Sequence, residues 1–466
     1  MSVSRRMAGQ VFAAALAFTI ALALLAVLPA ARASGSTSYS GSTSDGGNWV
    51  ADVPSPWNGK LILYSHGFGP VQAADAPDAI TKQALLNMGY ALAGSSEAPP
   101  TASWWTLGSA LNEQFETIRD VRADLPGPPR QVLAFGTSMG GLISALEDQH
   151  SNGRVDGALT TCGIVAGGIQ LNNYQLDGEY AIVRLLGAGA PVKLVHFTSP
   201  ADGLATGKTL DSFAQTAQQT AAGRARLALA MAFMNVAQWA PGQPMPTRRD
   251  YNTQEQEQYA VEFSLPTSGP PMSAMDFVEF ARYYLEQASG GNGSWTAGVN
   301  FERLFDQSPY AREVSALYRQ AGVSLRSDLA TLTANANIHA DANAIRWLRQ
   351  TSVPTGRLQV PELDMHTIAD QLVPVQQENY YRHTVRRAGD EQLLRQAYVQ
   401  RQSHCNFTSA ELVAGVKAIQ HRVDTGRWGE AAEPNHLNQV AGSLNLGGSA
   451  FIYYRPWRLS GNNGRG

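Results

Sequence analysis

The sequence predicts an α/β protein: a mostly parallel, doubly wound sheet with a block of helices inserted between its two halves. Three observations carry this. From Asn48 onward, short apolar runs alternate with segments whose apolar residues recur at helical spacing. Several runs end in glycine, as buried parallel strands do on leaving a sheet. Between about Asn172 and Ser352 the chain becomes rich in helical patterns, broken by Pro/Gly segments such as "PTSGPP" and "SGGNGS". With 466 residues, 44% of them hydrophobic, the chain has material for a large core. Only 16% are charged and the formal net charge is -3, so no basic stripe exists to neutralise a phosphate backbone, and nucleic acid is excluded as a partner.

Residues 1–33 read as an export signal. Arg5 and Arg6 precede an Ala/Leu-rich run from Val11 to Ala30, and Ala31-Arg32-Ala33 supplies small residues for cleavage after Ala33. The mature chain is then secreted, extracellular or periplasmic, with no membrane span left. Uncleaved, the same run is just long enough to anchor the chain in a bilayer. "SGSTSYSGSTSDGG" follows, a linker or a polar edge strand.

The first part of the core spans residues 34–171. "KLILYSHGFG" is a buried strand ending in glycines, and Ile80, Ala84, Leu85 and Met88 share one helical face. "YALAGSS" is the next strand. Leu111, Phe115, Ile118, Val121 and Leu125 form a helix stopped by Pro126, "RQVLAFG" is a strand, and "VDGALTTCGIVAGG" supplies another. Residues 172–352 form a helical cap, with "RARLALAMAFMNVAQW" and "MSAMDFVEFARYYLEQ" as its clearest helices. Residues 353–466 complete the core. Arg357 to Leu363 is strand-like, a second strand runs to Val399, and Thr408 with Glu411 caps an amphipathic helix. "SAFIYYRPWRL" reads as an added strand in a C-terminal extension.

Gly136-Thr137-Ser138-Met139-Gly140 lies between a strand and a helix. Glycines on both flanks allow a turn too sharp for side chains, which lifts the Ser138 hydroxyl clear of the sheet and aims helix N–H groups at developing negative charge. A serine needs a base, and the base an orienting acid. Asp370 sits on the loop after a strand, in "DQLVP", and His404 follows the last long strand. Asp364, His366 and Asp202 compete for these roles, but His366 precedes the last strand and Asp202 lies in "PVKLVHFTSPADG", well before it.

The order Ser138, Asp370, His404, with G-x-S-x-G at a strand-to-helix turn, resembles the α/β-hydrolases over roughly residues 58–170 and 355–425. The resemblance implies a catalytic triad of those three residues. "HGFG", His66 to Gly69, is similar to the oxyanion loop of esterases and lipases, which implies the backbone N–H groups of Phe68 and Met139 as donors. Cys405, directly after His404, resembles secreted tannase and feruloyl-esterase-like hydrolases, in which a disulfide ties the histidine loop to the residue beside the nucleophile. This chain departs from that pattern, since Thr137 precedes Ser138 and the other cysteine is Cys162. A Cys162–Cys405 bridge is the expectation.

The implied reaction is hydrolysis of a small-molecule or polymeric carboxylic ester through an acyl-enzyme, under an apolar cap, with Trp104 and Trp105 as candidate substrate contacts. An exported serine aminopeptidase of the same fold is the alternative, with Glu97 or cap acids holding the substrate amine. A non-catalytic binding protein would lack a triad member, and none is missing. There is no H-E-x-x-H, no Walker loop and no G-x-G-x-x-G opening a first βα unit, so neither metal nor cofactor is expected.

Overall fold

The computed structural model describes residues 35–267 and 271–461. The export signal expected at 1–33 lies outside the described residues. Among the described residues nine strands form one sheet: β1 (Thr37–Ser42), β2 (Asn48–Val53), β3 (Lys60–Ser65), β4 (Ala91–Ser95), β5 (Gln131–Thr137), β6 (Gly157–Thr161), β7 (Glu362–Ala369), β8 (Leu394–Gln402) and β9 (Phe451–Ile452), in the order β1-β2-β4-β3-β5-β6-β7-β8-β9. β3 to β8 are mutually parallel, while β1, β2 and β9 pair antiparallel at the two edges.

Between strands of the first part lie α1 (Ala79–Asn87), α2 (Ala110–Val121) and α3 (Met139–Gln149). The insertion between β6 and β7 contains α4 (Gly168–Leu186), α5 (Pro200–Ala217), α6 (Ala221–Met234), α7 (Tyr251–Tyr259), α8 (Ala274–Ser289), α9 (Phe301–Asp306), α10 (Ala311–Ala321), α11 (Leu325–Asn335) and α12 (Ala342–Thr351). α13 (Gln376–Ala388), α14 (Ser409–Thr425) and α15 (Pro434–Leu444) complete the chain. No helix among the described residues is long and apolar enough to cross a membrane.

Alternate residues of the central strands feed different cores. Ile62, Tyr64, Leu133 and Phe135 pack against α1 and α14, whereas Leu61, Leu63, Val132 and Ala134 pack with Ile118 and Val121 of α2. Burial on both faces explains why these strands read as continuous apolar runs. The insertion has its own apolar core around Leu210, Leu227, Met231, Phe233 and Phe301. A further cluster, with Trp105, Met139 and Leu142 from the sheet side and Leu285 and Leu348 from the insertion, joins it to the sheet.

Several sequence expectations shift. The strand expected over Arg357–Leu363 is β7, starting at Glu362. Pro361 cannot donate to a ladder, and the chain before it is held instead by Asp148, whose carboxylate accepts from the N–H groups of Gln359 and Val360. α2 ends at Val121 rather than Leu125, because Pro126 disfavours helical geometry in the residue before it and the intervening residues form a turn. Ile80 points outward, 60% exposed, and Thr81 takes its place in the buried face of α1. Helix begins at Gly168, slightly before the expected start of the cap. The C-terminal strand shrinks to Phe451–Ile452, after which the tail leaves the sheet: Asn379 holds the carbonyl of Pro456, and Ser460 N–H donates to Asn235 of the insertion.

Candidate active site

Ser138 stands between β5 and α3 with φ 61° and ψ −119°, a conformation that costs a non-glycine residue strain and persists only where the surroundings enforce it. They do so here. Its N–H donates to the carbonyl of Thr161 on β6. A Cβ on Gly136 would overlap the carbonyl of Gly140, and one on Gly140 would overlap that of Ser65. Both flanking glycines of the motif are therefore steric requirements.

Ser138 Oγ lies 2.8 Å from His404 Nε2, and His404 Nδ1 lies 2.7 Å from Asp370 Oδ2. The histidine loop is fixed to the acid loop: Ser403 N–H donates to the Ala369 carbonyl, and His404 N–H donates to the side chain of Gln371. Asp370 is fully buried, and its second oxygen accepts from the N–H groups of Leu372 and Val373 at 2.9 Å. Burial alone would push its pKa up, yet the imidazoles of His404 and His366 outweigh burial and hold it well below the usual carboxylate range.

His366 lies behind the acid. Its Nδ1 meets Glu378 at 2.7 Å, its Nε2 meets the carbonyl of Val373 at 2.8 Å, and that same nitrogen is 3.5 Å from Asp370. With an oxygen acceptor facing each nitrogen, the ring is held as an imidazolium. Burial opposes the charge, but Asp370 and Glu378 overcome it and raise the pKa to about 10. Asp202, the other candidate acid, lies in the first turn of α5, far from these groups in sequence, and its carboxylate pairs with Lys193 and accepts from Thr198 N–H.

The "HGFG" turn follows β3 and lies over the serine: a Cβ on Gly67 would come within 3.3 Å of Ser138 Cβ. The Phe68 and Met139 N–H groups donate to no acceptor found among the described residues. Glu97 holds this turn from behind. Its carboxylate accepts from His66 N–H at 2.6 Å and from the Thr106 hydroxyl at 2.9 Å, and burial pushes its pKa up. It also adopts φ 66°, and Ser403 and Cys405, on either side of His404, have positive φ as well.

A cavity of about 280 Å³ opens at Ser138 and His404. One side comes from the sheet, including Phe68, Trp105, Ile164 and Val373, and the other from α4 and α8, including Leu171, Phe277 and Leu285. Trp105 lines the cavity, as the sequence suggests. Trp104 does not: its ring stacks on Tyr284 at 4.6 Å and meets Phe68 edge-on, buttressing the wall from outside. Among the described residues no acidic side chain lines the cavity, and Glu97 faces His66. Arg282 reaches the cavity from α8, but its guanidinium is engaged by Glu179 at 2.6 Å and Glu279 at 3.0 Å. Cys162, at the end of β6, is bridged to Cys405, so the residue after His404 is bonded to the strand beside the elbow.

The sheet order, the strained serine after β5 and the acid and histidine loops after β7 and β8 define the α/β-hydrolase fold, and the chain has that fold. No family model matches it. A curated relative, the o-phthalyl amidase of Xanthobacter agilis, is 28% identical over 445 residues, covering 90% of this chain and 94% of the relative. Feruloyl esterase B from Aspergillus oryzae aligns with a TM-score of 0.45 at 12% identity, over 84% of this chain and 80% of the esterase. An acylaminoacyl peptidase from Pyrococcus horikoshii aligns with a TM-score of 0.36 at 10% identity, over 79% of this chain and 37% of the peptidase.

Sequence reasoning gave His366 and Glu97 other roles, the first as a competing triad member and the second as an anchor for a substrate amine, and it missed the cavity wall supplied by the insertion. The cavity faces of α4 and α8 depend on how the insertion docks, which helical periodicity does not encode. A buried charged residue inside an otherwise apolar strand was the available signal for His366.

Proposed function

We propose that this protein is an exported serine hydrolase of carboxylic esters, acting through an acyl-enzyme formed on Ser138. The observation that carries the reading is the continuous line of hydrogen bonds from Ser138 Oγ through His404 to Asp370. Ser138 Oγ attacks the substrate carbonyl while His404 Nε2 takes its proton. The tetrahedral oxyanion accepts from the N–H groups of Phe68 and Met139, His404 returns the proton to the leaving oxygen, and water repeats the sequence to release the acid. Asp370 stays ionised and holds the imidazole in the working tautomer. The helical insertion serves as a cap that walls the acyl site with apolar side chains. The Cys162–Cys405 bridge supports an oxidising compartment, in keeping with the export signal read from the sequence.

Amide cleavage by the same machinery is the second reading, favoured by the amidase relative that spans 90% of this chain. An aminopeptidase is disfavoured, because no carboxylate among the described residues lines the cavity to anchor a substrate amine. The test is hydrolysis of p-nitrophenyl esters of graded acyl size beside p-nitroanilides carrying the same acyl groups. Esters should turn over faster than their matched anilides, and Ser138→Ala should lower kcat/KM by about 10⁴-fold or more. Turnover of anilides alone would select the amidase reading. A Ser138→Ala protein as active as wild type would overturn the assignment.

A further inference from the structure

Two side chains in the cavity wall are left unexplained by catalysis. Asn172 and Gln175 lie one turn apart on α4, face the cavity, and are only 3% and 8% exposed. Each carboxamide has two donor hydrogens and an acceptor oxygen, and neither makes a hydrogen bond to the protein among the described residues. The surrounding wall is apolar, with Leu171, Phe277, Val278 and Leu285 nearby. Their polar atoms open on the cavity rather than onto protein partners, and stripping water from such groups without replacement is unfavourable. A purely apolar acyl group filling this cavity would do that to both.

We propose that Asn172 and Gln175 form a specificity subsite for an aromatic acyl group bearing a hydrogen-bonding substituent, hydroxyl or carboxyl. This rests on the acyl-hydrolase reading above. The volume suits it: a cavity of roughly 150 Å³ holds a bare benzene ring, so about 280 Å³ leaves space for a linked carbonyl and a ring substituent. The apolar wall takes the ring faces, and the two amides take the substituent. Arg282, already engaged by Glu179 and Glu279, adds no unpaired cation, so the hydroxyl arm is expected to exceed the carboxylate arm. A site built to hydrogen-bond a substituent rejects the analogue lacking it more strongly than an apolar pocket rejects a missing methylene.

The test compares p-nitrophenyl benzoate with its 3- and 4-hydroxy and 3- and 4-carboxy derivatives, each rate divided by that of the same ester in hydroxide to remove intrinsic reactivity. In wild type, kcat/KM for at least one substituted ester should exceed that of the benzoate by about tenfold or more. In the Asn172→Leu/Gln175→Met double variant the ratio should fall to within about threefold of one. The ratio is read on a single protein sample, so partial unfolding cancels. A wild-type ratio near one, or a ratio that survives the double substitution, overturns the subsite. Binding of benzamide and hydroxybenzamide to Ser138→Ala protein, measured by calorimetry, tests it without chemistry. A tenfold preference there, lost when the two substitutions are added, supports the subsite even if no ester is hydrolysed, an outcome that would defeat only the hydrolase reading. Equal binding defeats the subsite alone.

Discussion

The sheet and the helical insertion build opposite walls of one cavity by different means. On the sheet side, position is set by backbone: strand ends, turns that only glycine permits, and a disulfide bring Ser138, Asp370 and His404 within hydrogen-bonding distance although they are far apart in sequence. On the insertion side, position is set by side-chain packing and a buried ion cluster, with Arg282 between Glu179 and Glu279. The difference predicts how each wall fails. Damage to the sheet side should disable chemistry more than stability, and damage to the insertion should do the reverse.

The disulfide puts the sharpest strain on that contrast, since it belongs to the sheet side yet should act on both. It closes a separation of 243 residues, for which the chain-entropy model gives a stabilisation of about 4 kcal/mol or more. It also fixes the residue following His404. Cys162→Ser/Cys405→Ser should lower the unfolding free energy by roughly that amount in denaturant titrations. kcat should fall further than any loss of folded protein explains. A variant that is destabilised but keeps wild-type kcat per folded molecule would show that the histidine loop is held by Gln371 and Ala369 alone.

The insertion's counterpart is Arg282. Replacing it by methionine leaves Glu179 and Glu279 facing each other in a buried site, and removing one partner of a buried ion pair costs about 3 kcal/mol. Arg282→Met should lower the thermal midpoint while kcat on a small acetate ester changes by less than about threefold. Burial and Glu179 already push the Glu279 pKa well up, so the variant should recover stability as pH falls and both carboxyls become neutral. An equal loss of kcat on acetate would mean that the two walls are not energetically separate.

The same contrast governs what was legible in the sequence. The elbow stands out because its glycines have no substitute, and the order of serine, acid and histidine follows from the strand ends that carry them. β7 was harder to place: Glu362, Asp364 and His366 interrupt its apolar pattern, because all three are buried in a polar network rather than in a hydrocarbon core. The insertion gave up its helices but not its cavity face. Asn172 and Gln175 look like ordinary polar positions until docking buries them, and Trp104 and Trp105 are adjacent in sequence while only one of them reaches the cavity.

His366 offers the finest test, because it acts on the sheet side through electrostatics alone. It touches Asp370 and not the substrate, so it is a positioning residue. Without its charge, burial would be opposed by His404 alone among the imidazoles, Asp370 would bind a proton more readily, and the imidazole of His404 would be less firmly paired with an anion. His366→Gln should lower kcat/KM by about tenfold at pH 7, with the acidic limb of the pH–rate profile moved to higher pH. Stability supplies an independent readout. The folded pKa of about 10 lies above the ordinary value of 6.5, so protonation of His366 favours the folded state. That contribution is complete below about pH 6.5 and fades as pH rises through about 10. Denaturant midpoints of wild type and His366→Gln should therefore differ at pH 6 and converge toward pH 10. Midpoints that stay parallel across this range would mean that His366 is neutral in the folded protein and that the backbone N–H groups of Leu372 and Val373, with His404 itself, suffice to keep Asp370 ionised.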